Sequence, residues 1–392
     1  MDAGAWPNVL SRCERQRGAG INAECDIATE RPGRERRTIV GAPGSLATPQ
    51  ESNMLKRSYP EYHKALLEQS SYPSAPRRIK FEETRRSYLY KTGEAIYKIR
   101  KTGPVYSALA IKERFAQDAL RLGRRWTGDV VQEVVPIVKG PPGYALGTEG
   151  HPVDYALKMS QLSDTYWLSH LIAQQKLTPT ALGRLARFLS EHHEAAALEE
   201  KAADAGRPEF FFALMEEIFY QSKKYINQTL TEPMLEMVTR PLGKFVDDFR
   251  KLFLRRQKRG RVVDGHGAFV PEHIHIRGTD IHAIAPLDGQ PKYRVLDAAN
   301  DLATLLNAMA VLGAHDTAEL FLKRYIAASR DRELHRILPA YQTLQAMRSG
   351  VLQSELLAEL EAKDKQREAV VKGASAQFQL AVQMARQIPK AA

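Results

Sequence analysis

The sequence predicts an α+β protein of two lobes, a small β-rich one followed by a larger, mostly helical one. Over 85–159, short runs in which apolar and polar side chains alternate are separated by turn signals, and a single amphipathic helix interrupts them. After Met159 the apolar period becomes that of helices joined by short polar links. At 260–301 strand-like runs return briefly around a loop.

Residues 1–53 show no apolar period and are rich in Gly, Arg, Ala, Pro and Thr, so a disordered leader is expected there. Met54 opens the first patterned stretch and is an alternative start of translation. The first lobe is placed at 54–159, with turns at Thr92-Gly93 and Gly140-Pro141-Pro142-Gly143. Its helix is expected at 107–122, with Ile111, Phe115 and Leu122 on one side. The helical lobe is placed at 160–352 and opens on Trp167, Leu168, Leu171 and Ile172. Thr178 then caps a helix with Pro179 at its first position, and Leu182, Leu185 and Leu189 form its buried stripe. Further helices are expected at 208–227, 231–257, 297–312, 315–328 and 333–360. Residues 353–392 hold the end of the C-terminal helix and a polar, fraying tail. There is no internal repeat.

A chain of 392 residues with 43% hydrophobic content can bury one large two-lobed domain or two ordinary ones. Its two cysteines, Cys13 and Cys25, supply neither a disulfide framework nor a zinc motif, so the reducing cytoplasm is the expected compartment. No apolar run is long enough to span a bilayer, and no signal-like segment follows Met1. The net charge of +11 comes from 57 basic and 46 acidic residues spread along the chain. The densest basic group is Arg255-Arg256-Gln257-Lys258-Arg259-Gly260-Arg261. Without interleaved aromatics it reads as a solvated helix end rather than a nucleic-acid surface.

The decisive stretch is 260–301. Apolar runs at 261–263, 274–276 and 281–284 predict a strand, a loop and a hairpin, with the loop reading His266-Gly267-Ala268-Phe269-Val270-Pro271-Glu272-His273. Leu302, Leu305, Leu306 and Met309 recur at i, i+3, i+4 and i+7 in the helix that follows, with Asp297 or Asn300 as its cap.

This stretch resembles the catalytic segment of the aminoglycoside/choline phosphotransferase-like branch of the kinase-like superfamily. That pattern is His-Gly-Asp-x-His-x-x-Asn with a second Asp beyond the hairpin. The chain is especially similar to a bacterial group in which such a kinase-like half precedes a P-loop ATP-binding half. His266, Gly267, Arg294, Asp297 and Asp301 match, and Tyr72-Pro73 and Arg78-Ile79 also fit. The resemblance covers about residues 70 to 352 and is strongest at 92–101, 117–137 and 260–306. It implies a two-lobed protein-kinase-like fold. The P-loop pattern Gly-x-x-x-x-Gly-Lys-Ser/Thr does not occur, so the second half of the longer relatives is not expected.

The resemblance also says which chemistry is altered. Ala268 stands where the catalytic Asp belongs, His273 where the metal-binding Asn belongs, Ala285 where the metal-binding Asp belongs, and Val270 replaces the second His. Phosphoryl transfer needs a carboxylate to orient the acceptor and oxygen ligands for Mg²⁺, and loss of the base alone costs roughly 10² to 10⁴ in rate. Lys98, on a strand face opposite Tyr97 and Ile99, is the candidate phosphate-binding lysine. Asp118 is the only carboxylate left in the helix segment that should supply its partner. Asp297 and Asp301 imply support of the loop, and His266 implies bracing. Gln345, Ser349 and Val351 stand where relatives carry basic residues, which argues against an anionic substrate pocket.

The expected function is therefore that of a pseudokinase. It would bind a partner protein, a small ligand, or ATP without conventional Mg²⁺, and neither nucleic acid nor a membrane is expected as partner. A first alternative is an active phosphotransferase with carboxylates relocated to Asp264, Asp280 or Asp288. A second is a metal-dependent enzyme built on His266, His273, His275 and His282, where alternation puts His273 and His275 on one face and His282 away from position 285. No standard zinc spacing supports it.

Overall fold

The computed structural model describes residues 59–101, 103, 107–141, 143–198, 204–360 and 364–391. The expected leader, the alternative start at Met54 and both cysteines lie outside them.

The first lobe is one antiparallel sheet and one helix. Its elements are β1 (Lys80–Glu83), β2 (Ser87–Lys91), β3 (Ala95–Arg100), α1 (Leu109–Thr127), β4 (Val131–Gly140), β5 (Gly143–Leu146) and β6 (His151–Ser160), and the strand order is β1-β2-β3-β6-β4-β5. The sheet begins ahead of residue 85. Helix α1 runs five residues past its expected end because Gly123, Trp126 and Thr127 are buried as well.

Register sorts the sheet's two faces. Tyr90 pairs with Tyr97, and Ile99 pairs with Ala156. These side chains pack under the segment before β1, where Tyr62, Leu66 and Tyr72 are buried. On the other face Lys98 lies between Leu89 and Leu157, and Ile96 opposes Met159. Positions directly opposite share a face, so Lys98 sits in an apolar surround that faces the second lobe.

That lobe contains α2 (Leu168–Ala173), α3 (Pro179–Ala195), α4 (Pro208–Ser222), α5 (Glu232–Asp248), α6 (Arg250–Lys258), β7 (Val262–Asp264), β8 (Ile274–Arg277), β9 (Asp280–Ala283), β10 (Val295–Asp297), α7 (Ala299–Val311), α8 (His315–Ser329), α9 (Leu334–Ser354) and α10 (Lys365–Ala385). Thr178 accepts the Ala181 N–H at 3.2 Å and so caps α3. The helix expected over 231–257 is two helices meeting at Phe249. Its bend brings Phe249 onto Phe245, ring centroids 4.7 Å apart, and keeps Leu252 and Phe253 in the core.

Two expectations need correction. The basic group at 255–261 is not a simple solvated helix end. Arg256 is 1% exposed and lies between Asp297 and Asp331, while Arg255 and Arg259 both reach Glu333. A charge this deeply buried is tolerated only when it is paired, as it is here on both sides. The C-terminal segment, expected to fray, forms α10, whose Phe378 is buried against Gly350 of α9.

Candidate functional site

The site is built on a short strand, a braced loop and a return. Strand β7 pairs antiparallel with β10, and the chain between them carries the loop, a 3-10 turn at Pro271–His273 and the β8–β9 hairpin. Asp301, in the first turn of α7, accepts the His266 N–H on Oδ2 and the Gly267 N–H on Oδ1, both at 2.7 Å. The same Oδ2 is 3.2 Å from His193 Nε2, which must therefore carry the proton it donates. Burial pushes the Asp301 carboxyl up, but the bond and charge of His193 outweigh it and hold it below the usual range. Glycine is required beside it, since a Cβ on Gly265 would lie 2.5 Å from Asp301 Oδ2.

His266 is fully buried, edge-on to Trp126, and its Nε2 is 3.4 Å from the Ala283 carbonyl. Burial pulls its imidazole down to about 3. Asp297, expected to support the loop, does not reach it. Its two oxygens take Arg256 at 2.7 and 2.9 Å, and Oδ1 also accepts the Ala299 N–H at the start of α7. Asn300 lies inside that helix, where it bonds Tyr293 O and Gln345 instead of capping.

Between the sheet and the loop lies a cavity of about 440 Å³. Leu89, Ile96, Leu157 and Met159 wall it from the sheet, and Ile284, Pro286 and Leu287 from below. Ala268, His273, Ala285 and Lys98 all open onto it. His273 Nδ1 is 2.9 Å from the Ala268 carbonyl, and burial, with the nearby Lys98 charge, keeps its imidazole below the ordinary value. These residues do not fit a divalent metal of the Mg²⁺ type. Two of the three positions offer only methyl groups, and the third offers an imidazole nitrogen where Mg²⁺ requires oxygen.

Lys98 is half-buried, and among the described residues it makes no side-chain hydrogen bond or ion pair. Helix α1 turns Phe115, Ala116 and Ala119 toward it across a recess of about 30 Å³. Asp118 points elsewhere, 47% exposed and 3.6 Å from Arg121, so the expected Lys98 partner is not on this helix. Burial lowers the Lys98 amine, Arg100 and Arg86 add to that effect, and Asp288 opposes it.

Of the three carboxylates considered as relocated groups, only Asp288 reaches the cavity, where it is paired with Arg100 at 2.6 Å. Asp264 is held by Arg125 at 2.9 Å and Arg294 at 2.5 Å. Burial alone would raise its carboxyl, but the two guanidiniums hold it low. Asp280 is exposed on the hairpin. The histidines do not converge either. His273 precedes β8 and faces the cavity, whereas His275 turns to Ser163 O and the Trp167 ring, so the two do not share a face. His282 pairs with His275 across the hairpin. Among the described residues no three His, Cys, Asp or Glu side chains are placed to hold a metal ion.

Sequence reasoning missed the cations around Lys98. Arg100 was open to it, being two residues along β3 and hence on the same face. Arg85 and Arg86, in the turn Thr84-Arg85-Arg86-Ser87 between β1 and β2, belong to no motif, yet both line the cavity.

No family model matches the chain. It is 22% identical over 173 residues to uncharacterized proteins of Mycobacterium tuberculosis and Mycobacterium bovis, an alignment that takes in 44% of this chain. The chain spans about a third of the length of these curated relatives, 35%. Among solved structures it is similar to a choline/ethanolamine kinase family protein of Mesorhizobium loti, with a TM-score of 0.48, 13% identity and 82% and 98% of the two chains covered. It is also similar to choline kinase of Cryptosporidium parvum, with a TM-score of 0.49, 11% identity and 81% and 93% covered. The class itself follows from the chain's own topology: a curled antiparallel sheet with one helix after its lysine strand, a helical lobe, and between them a His-Gly loop braced by an aspartate. This is a two-lobed, kinase-like α+β fold. No helix among the described residues is long and apolar enough to cross a membrane.

Proposed function

We propose that the chain is a cytoplasmic pseudokinase, a kinase-like module that binds a small ligand or a partner protein through its cleft without transferring a phosphoryl group. One observation carries this reading. Lys98, Ala268, His273 and Ala285 converge on one cavity, so the cleft persists while the positions for base and metal hold no oxygen ligand. A kinase-like site works almost wholly by positioning and by charge neutralisation through metal, and neither group is supplied here.

The test is Mg²⁺-dependent ATP turnover, alone and with aminoglycosides or small alcohols as acceptors. The expected rate matches a heat-killed control. Turnover well above it, abolished by Lys98→Ala, overturns the reading. Asp288 supports a second reading, an active phosphotransferase, because it is the relocated-carboxylate candidate that lines the cavity. Its pairing with Arg100 disfavours that reading. Turnover lost in Asp288→Asn would favour it.

A further inference from the structure

Among the described residues, two carboxylates line a recess together with Lys98, and another cation already holds each of them. Asp288 is paired with Arg100 at 2.6 Å, and Asp154 with Lys112 at 2.9 Å, where it also accepts from the Tyr62 hydroxyl. Ala268 and Ala285 add only methyl groups to the same cavity. The half-buried amine stands on β3 between Leu89 and Leu157, the residues directly opposite it on either side, with Ile96 and Ile284 in the wall around it. Arg100, two residues along and so on the same strand face, lines the cavity with it.

These are the two conditions that turn a lysine from a charge into a nucleophile: apolar surroundings disfavour the ammonium, and a neighbouring cation repels it. Burial is the larger cause that lowers the Lys98 amine; Asp288 opposes it, and Arg100 and Arg86 add to it. Both conditions work against a lysine whose task is to stay charged. A proton carrier stands at the same cavity. His273 Nδ1 is 2.9 Å from the Ala268 carbonyl, which can only accept, so Nδ1 carries the hydrogen and Nε2 keeps its lone pair. Burial, with the Lys98 charge, outweighs the Ala268 bond and holds this imidazole below its ordinary value.

We propose that Lys98 is a nucleophilic amine that captures an apolar aldehyde in the cleft as an imine, with His273 carrying the protons. The amine lone pair forms a C–N bond to the carbonyl carbon while the carbonyl π pair moves to oxygen. Two protons then pass in turn from the nitrogen to the oxygen by way of His273 Nε2, the C–O bond breaks, and the oxygen leaves as water. No oxidant or reductant is consumed. The body of the aldehyde lies along the apolar walls. The proposal rests on the pseudokinase reading, because a cleft that worked on bound phosphate would need this amine charged, and it adds a covalent activity to that reading.

The test treats the full chain near neutral pH with hexanal and cyanoborohydride, which reduces an imine to a stable secondary amine, and maps the labelled lysines by mass spectrometry. Lys98 is expected to gain the mass of hexanal less one oxygen about tenfold faster than the exposed Lys176 and Lys251. Hexanal should label it faster than glyceraldehyde, whose body is polar. Arg100→Met frees Asp288 to pair with Lys98, so labelling should slow about tenfold and its pH profile should move upward. Adding Asp288→Asn to that variant should return the rate. His273→Gln should slow labelling about a hundredfold, the usual value of a lost acid–base group. Thermal melts of each variant check that it folds. Lys98 labelled no faster than Lys176, glyceraldehyde as fast as hexanal, or a rate indifferent to both Arg100→Met and His273→Gln overturns the proposal. ATP turnover would overturn the pseudokinase reading and this proposal with it, whereas no turnover with an unreactive Lys98 overturns this inference alone.

Discussion

Asp301 is one side chain on which the whole loop leans. It holds two successive backbone amides at 2.7 Å and is itself held by His193, whose Nδ1 lies 2.8 Å from the Tyr325 hydroxyl. Asp301→Ala strands two buried N–H groups and an imidazole, so it should cost about 3–5 kcal/mol, measured by urea unfolding. His266 gives a pH signature. Its folded value of about 3 lies below the ordinary 6.5, so the folded state binds fewer protons between them. Its contribution is then complete above about pH 6.5 and is lost as pH falls toward 3. His266→Phe, which keeps the packing against Trp126, should flatten the melting temperature across that window. An unchanged slope would assign the acid limb to other groups, of which His273 and Asp301 are the nearest. At this scale the sequence singled out Ala268, His273 and Ala285, because they fall in register with the resembled motif, and the structure gathers all three at one cavity. It could not show that Asp118 turns outward, since one carboxylate in an amphipathic helix does not report which side of the stripe it occupies.

At the scale of elements, the strand, loop and hairpin around 260–301 were legible to within a residue or two, because alternation and the β-turn fix short antiparallel pairs locally. Helix α10 was misread as a fraying tail. Among its buried positions, Ala374, Phe378, Ala381 and Ala385 follow helical spacing, but three of these are alanines, and small side chains leave a weak apolar signal. Helix α9 lies close at Phe378: a Cβ on Gly350 would sit 2.6 Å from its ring. Gly350→Ala should therefore destabilise by about 1–3 kcal/mol through overpacking, outweighing the gain of roughly 1 kcal/mol that alanine brings to a helix. Pairing it with Phe378→Leu should return part of the loss. A Gly350→Ala protein as stable as the parent would mean that α10 does not pack on α9 in solution.

Across the molecule, three ion pairs among the described residues tie the first lobe to the loop lobe: Arg85–Glu355, Arg100–Asp288 and Arg125–Asp264. None was readable from sequence, since each joins residues more than a hundred positions apart that no local pattern links. They set the cleft that the last prediction probes. Ala285 keeps a left-handed backbone, φ 55°, a conformation that Asp and Asn adopt more readily than Ala. This backbone suits an aspartate better than an alanine, so Ala285→Asp should be accommodated with less strain than the parent carries. The triple change Ala268→Asp, His273→Asn and Ala285→Asp places oxygen ligands in the cavity beside Lys98. In EDTA the two new carboxylates should pair with Lys98 and repel an added nucleotide, so any heat that the parent chain gives with ADP should shrink in the variant. Adding Mg²⁺ should reverse the loss in the triple variant and leave the parent unmoved, because only the variant can hold the ion against the ligand's charge. Calorimetry on both proteins, with and without Mg²⁺, reads the difference directly. Equal metal dependence in the two would mean that positions 268, 273 and 285 do not meet the ligand, and that this cavity is not where the chain binds.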